Sequence, residues 1–140
     1  MAVVSTARTE WSGGLVDGTG STSLASGVAS FAVNWKARSE GAESTTTPEE
    51  LLAAAHASCY SMALSNVLAK AGNPPASLVT HASVSFVPGT GVTGVELSVE
   101  GDVPGLDAEA FAAAAADARE NCPISQALSV PITLASAILV

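Results

Sequence analysis

An α+β domain is the fold class this sequence predicts, on three observations. Stretches in which apolar residues alternate with polar or small ones lie on both sides of a long alanine-rich segment. That segment opens on a helix-start signature and closes on glycine and prolines. The order is strands, helix, strands, helix, strand, and no repeat or linker-like run divides the 140 residues. One domain covering residues 1–140 is expected.

Each element has its own reason. Ala7-Arg8-Thr9-Glu10-Trp11 carries β signals, and in Phe31 to Lys36 the residues Phe31, Val33 and Trp35 keep the period of a half-buried strand. Gly13-Gly14, Gly18, Gly20 and Gly27 supply turns between them. Thr47 is then a good N-cap, Pro48 suits the first helical position, and Glu50 three residues after the cap completes a capping box. The helix runs to Lys70-Ala71 and is ended by Gly72-Asn73-Pro74-Pro75. Two strands follow: Ala82, Val84 and Phe86 form one inward set, and Val95, Leu97 and Val99 another. Asp107 caps a helix through Phe111 and an alanine run to Asn121, which breaks near Pro123. A short helical turn (Pro123 to Leu128) and a strand from Ile132 to Leu139 close the domain.

Composition excludes several function classes. With 48% hydrophobic and 13% charged residues the chain is globular. The net charge of −8, with Arg8, Lys36, Arg38, Lys70 and Arg119 as the basic residues, argues against nucleic acid or an anionic membrane as partner. The start, Met1 to Arg8, lacks a signal-peptide pattern, and the apolar tract Pro131 to Val140 is far short of the roughly 20 residues of a membrane span. A cytoplasmic location is expected, where paired cysteines are more often redox-active than structural.

The two cysteines differ in setting. Cys59 lies within the long helix, and Cys122 lies directly before Pro123. Such a pair fits chemistry in which one thiol attacks and the other resolves; a structural disulfide or two buried free thiols are the alternatives. A mid-helix thiol needs a nearby cation to react quickly. Arg38, read as the end of the second strand, is the best candidate, against the alternative of a strand-end arginine facing water. Glu50 is accounted for by the capping box, which leaves Glu49 to orient Arg38 through a charge-assisted bond. Glu49 and Cys59 are ten residues apart, about 15 Å along a straight helix. If both serve one site, that site spans a subunit interface, and the alanine-rich helix fits burial by a second copy. At Cys122, a helical turn starting at Pro123 would offer unpaired N–H groups to the thiolate. A second function class is a zinc-stabilised or redox-sensing binding module using His56, Cys59, His81 and Cys122, although no tight metal knuckle is present. A core-facing His56 bonded to a backbone carbonyl is the simpler reading of that histidine.

Three stretches together resemble the OsmC/Ohr family of thiol peroxidases, and its OsmC branch most closely. They are Thr47-Pro48-Glu49-Glu50-Leu51-Leu52, then Ala54-Ala55-His56-Ala57-Ser58-Cys59-Tyr60-Ser61-Met62-Ala63-Leu64, and Cys122-Pro123-Ile124-Ser125-Gln126. Val103-Pro104-Gly105-Leu106-Asp107 also resembles the family's approach to its last long helix. The resemblance implies an intertwined α+β homodimer whose sheets enclose the central helices, with two sites at the interface. It implies Cys59 as peroxidatic cysteine, Cys122 as resolving cysteine, Arg38 as site arginine and Glu49 as its partner carboxylate. The implied reaction reduces organic hydroperoxides, with hydrogen peroxide as a second substrate, and a dithiol (a small molecule or a lipoyl or thiol protein) restores the pair. No metal, haem or flavin is implied. Thr47 stands where the family usually has asparagine, and Ser39 where an aromatic is common, so the pocket's preference is open.

Overall fold

The computed structural model describes residues 1–140. It divides into two compact units, Met1–Leu51 and Leu52–Val140.

The first unit is an antiparallel meander followed by a short helix. Strands β1 (Ala7–Ser12), β2 (Thr19–Leu24) and β3 (Ser30–Val33) lie in the order β1-β2-β3. Strand β2 is an addition to the sequence-based reading, which took its Thr-Gly-Ser-Thr-Ser-Leu stretch for turn. Its β character comes from pairing on both sides, Thr22 facing Thr9 on β1 and Phe31 on β3. Trp11 lies over the bare backbone of this strand: a Cβ on Gly20 would stand 2.7 Å from the indole ring. Helix α1 (Trp35–Glu40) is a correction, because the alternation of Phe31, Val33 and Trp35 predicts one strand through Lys36. Asn34 ends that strand by accepting from Ala37 N at 2.8 Å, and this cap starts a helix before the β period reaches Trp35. Gly41, at φ +81°, ends α1.

Helix α2 (Pro48–Lys70) starts and stops as predicted. Thr47 Oγ1 accepts from Glu50 N at 3.0 Å, but the Glu50 carboxylate accepts from Thr46 Oγ1 at 2.6 Å, so the capping box is made on one side only. At the other end Gly72 N donates to Ala69 O and Asn73 N to Leu68 O, with Gly72 at φ +88°, a paired glycine stop. The helix is long and apolar enough to cross a membrane by length and composition alone. Its buried positions His56, Tyr60, Leu64 and Leu68 recur every four residues, the period of a core-facing stripe.

The second unit holds the core. Strands β4 (Ser77–Val87), β5 (Gly91–Asp102) and β6 (Ile132–Leu139) form a sheet in the order β4-β5-β6. The first pair is antiparallel and the second parallel, so the chain must cross over, which it does through α3 (Ala108–Asn121) and α4 (Pro123–Ala127). Val95, Leu97 and Val99 of β5 pack with Tyr60, Leu64, Leu68, Phe111, Ala115, Ala118 and Cys122. A register shift between Leu97 and Ser98 puts an extra residue into β6, so its half-buried set changes from Ile132 and Leu134 to Ala137 and Leu139.

Gly101 lets Phe111 lie against β5. A Cβ there would stand 2.6 Å from two ring atoms of the fully buried Phe111 and 3.1 Å from Leu78. Gly101→Val is expected to destabilise by about 1–3 kcal/mol through overpacking. A urea-unfolding midpoint equal to wild type would show that the ring has room to move.

Candidate active site

The chemistry-bearing side chains gather in two constellations, one in each unit. In the first unit, the cap at Asn34 sets α1, and α1 carries Arg38 in its last turn. Arg38 is therefore helical rather than at a strand end. Its Nε donates to Glu49 Oε1 at 3.0 Å and Oε2 at 3.3 Å, and its Nη2 to Oε1 at 2.8 Å. Glu49 is buried in the first turn of α2, while the arginine side chain keeps about a third of its surface exposed. Such a fork on a buried carboxylate fixes the guanidinium plane. The orienting bond expected between these residues is made within one chain. Arg38 lines a cleft of about 350 Å³ whose other walls include Trp11, Leu15, Val33, Trp35 and Leu51, a largely apolar surface with one cation.

In the second unit, Cys59 is half-buried on α2 and Cys122 is fully buried between α3 and α4; both are free thiols. The two thiols are close enough that each bears on the other's ionisation. Burial pushes the Cys59 thiol above its ordinary value, the Ile124 N–H donating to it pulls the other way, and the adjacent Cys122 thiol pushes it up again. The net direction is up, so these neighbours alone leave Cys59 mostly protonated near neutrality.

Ile124 corrects one expectation. The N–H groups at the start of α4 were expected to serve Cys122, yet Cys122 makes no side-chain capping bond there. Proline at position 123 has no N–H, so Ile124 supplies the first free donor of α4, and it serves Cys59. Pro123 was the signal in the sequence that could have located this donor.

The remaining candidates are placed as follows. His56 is fully buried, with Nε2 2.7 Å from Ser125 Oγ, so its partner is a side-chain hydroxyl rather than a backbone carbonyl. Burial pushes its pKa below the ordinary histidine value. His81 is exposed on β4. The four-ligand set His56, Cys59, His81 and Cys122 does not form, and no group of three or more His, Cys, Asp or Glu side chains is placed to hold a metal ion. Sequence reasoning missed Tyr60, whose hydroxyl donates to Ala115 O at 2.9 Å and whose pKa burial pushes up to about 12. Ser61 also went unnoticed: its Oγ bonds Ala57 O and Thr80 Oγ1, both at 2.8 Å, tying α2 to β4.

Residues 40–135 match the family model described as OsmC-like protein. The chain is 41% identical over 138 residues to the Escherichia coli protein named peroxiredoxin OsmC, covering 96% of both. Among solved structures, the organic hydroperoxide resistance protein OhrB of Bacillus subtilis superposes with a TM-score of 0.66 at 28% identity, over 96% of this chain and 98% of that one. An organic hydroperoxide resistance protein OsmC from Legionella pneumophila shares the fold with a TM-score of 0.72 at 23% identity, over 98% and 100%. On the family match and on this identity across nearly its whole length, the chain belongs to the OsmC family.

Proposed function

We propose that this protein is a cysteine-based peroxidase of oxidative-stress defence that reduces organic hydroperoxides to alcohols, with hydrogen peroxide as a second substrate. The carrying observation is the free Cys59 thiol held beside the free, buried Cys122 thiol and under the Ile124 N–H. The names peroxiredoxin and organic hydroperoxide resistance protein, borne by relatives at 41% and 28% identity, support the same chemistry.

In the proposed cycle Cys59 thiolate attacks the outer peroxide oxygen; the O–O bond breaks, the alkoxide takes a proton and leaves as alcohol, and Cys59 becomes a sulfenic acid. Cys122 then attacks that sulfur, water leaves, and a Cys59–Cys122 disulfide forms. A dithiol, a small molecule or a lipoyl or thiol protein, reduces it. The cytoplasm is the compartment proposed, because such reductants are plentiful there.

Arg38 and Glu49 act on Cys59 from a second copy of the chain in this reading, which makes the working unit a homodimer. Helix α2 is unbroken between Glu49 and Cys59, and ten residues of helix rise about 15 Å. The thiol, raised by its own neighbours, needs a cation. Two uncovered surfaces favour a second copy: β1 is exposed along its length, and α2 exposes Ala54, Ala55, Ser58, Met62 and Asn66.

The test is stoichiometric. Cumene hydroperoxide and hydrogen peroxide are each added to reduced protein, and thiols are counted before and after. One peroxide consumed for two thiols lost is expected, with turnover restored by dithiothreitol. Thiols that persist in excess of either peroxide would rule the reading out.

A further inference from the structure

Residues in two matching steps of three tie α2 to the turn between α3 and α4. His56 and Cys59 stand three apart on α2 and share a face. Cys122 and Ser125 stand three apart across Pro123. Cys59 and Cys122 are near neighbours, His56 Nε2 lies 2.7 Å from Ser125 Oγ, and the Ile124 N–H of the same short helix acts on the Cys59 thiol.

Helix α4 has five residues, too few to be stable alone, so tertiary contacts set its position. Cys122, extended at φ −61° and ψ 124°, separates it from α3, so the two helices are not one rod. The His56–Ser125 bond is a directional tether across this joint. Both partners are buried, and His56 Nδ1 is buried with no hydrogen-bond partner from the protein. A leucine would fill the same space without an unpartnered nitrogen. Packing alone therefore does not account for histidine here.

We propose that the His56–Ser125 bond is a latch that holds the Cys122 turn in register with Cys59, making both residues positioning residues for disulfide formation. This rests on reading Cys59 and Cys122 as a redox pair. In that step the Cys122 sulfur attacks the sulfenic sulfur of Cys59. The S–O bond breaks, the hydroxide leaves with the proton of Cys122 as water, and the peroxide has been the oxidant. A disulfide tolerates a narrow range of backbone separations, so the step depends on how often the turn is correctly placed. The latch orders the turn while the thiols are still reduced, so closing the disulfide costs less conformational freedom.

The first measurement needs no peroxide. Wild type and Ser125→Ala are equilibrated with mixtures of reduced and oxidised glutathione, and the disulfide fraction is read by mass. The effective concentration of the thiol pair is expected to fall at least tenfold in Ser125→Ala, raising the reduction potential by about 30 mV. Ser125→Thr, which keeps the hydroxyl, should return close to wild type. His56→Leu is the second variant: it removes the bond and the unpartnered nitrogen but leaves the Ser125 hydroxyl without its partner, so its unfolding temperature should stay close to wild type while it shows the same rise in potential. With cumene hydroperoxide, the first thiol of Ser125→Ala should be lost at the wild-type rate, while disulfide forms at least tenfold more slowly and sulfinic acid accumulates. An unchanged or lower potential in both Ser125→Ala and His56→Leu would overturn the latch. Equal behaviour of Ser125→Ala and Ser125→Thr would overturn it too, by pointing to shape rather than the bond. If glutathione reveals the latch but peroxide consumes no thiols, the peroxidase reading alone fails.

Discussion

Cys59→Ser is expected to bring peroxide reduction down to the uncatalysed rate, whereas Cys122→Ser is expected to complete one turnover and stop. A serine hydroxyl is not ionised near neutrality and is a far weaker nucleophile toward oxygen than a thiolate, so nothing replaces the Cys59 sulfur. With Cys122→Ser the first attack is intact, but the sulfenic acid has no thiol beside it. It persists, or a second peroxide carries it to sulfinic acid. Rapid-quench consumption of cumene hydroperoxide checks this: one equivalent per chain in the fast phase for Cys122→Ser, with a second only as sulfinic acid forms, and none for Cys59→Ser. Mass spectrometry should then find one or two added oxygens on Cys59. Wild-type turnover by Cys59→Ser would remove this residue from the reaction. Continued cycling of Cys122→Ser with dithiothreitol at the wild-type rate would show that the reductant reaches the sulfenic acid directly.

Arg38→Ala is expected to cost the next largest share of activity, about 100-fold, the loss typical of one electrostatic stabiliser. The sign follows from the thiol's surroundings. Burial and Cys122 already hold Cys59 above its ordinary value, so in the proposed dimer a cation is needed to bring it down. Removing the guanidinium moves the Cys59 titration to higher pH, lowers the thiolate fraction at neutrality, and shifts the rate profile to the alkaline side. Thiolate absorbance against pH checks the titration, and an unmoved curve in Arg38→Ala would exclude the arginine. Glu49→Ala should act in the same direction but more mildly, because it leaves the charge and loosens the fork made at 2.8 and 3.0 Å. Whether the pair serves a partner's thiol is read by complementation. Cys59→Ser and Glu49→Ala chains are refolded together, and the mixed dimer should regain one working site. Activity no higher than the two separate mutants, despite proven subunit exchange, would place the whole site within one chain.

The sequence by itself determined the features that depend on neighbours along the chain. Thr47, Pro48 and Gly72 set both ends of α2, and Asp107 the start of α3, because caps join residues a few positions apart. The inward faces of β4 and β5 followed from a period of two. The family was legible in the words around Cys59 and Cys122, since motifs are local strings. Even local reading failed where two local signals competed. Asn34 capped a helix within the strand period of Phe31, Val33 and Trp35, and so moved Arg38 from a strand to α1.

Tertiary structure alone decided what joins distant positions or resolves such contests. Strand β2, weak in β formers, exists because β1 and β3 satisfy its backbone on both sides. The Arg38–Glu49 fork was expected as an orienting bond, but only the fold places it within one chain. Ser125 could be matched to His56, and Ile124 N–H to Cys59, only after the crossover from β5 to β6 had brought α4 against α2. A hydrogen bond depends on separations of about 3 Å and on direction, and residue order fixes neither for positions 69 apart in the chain.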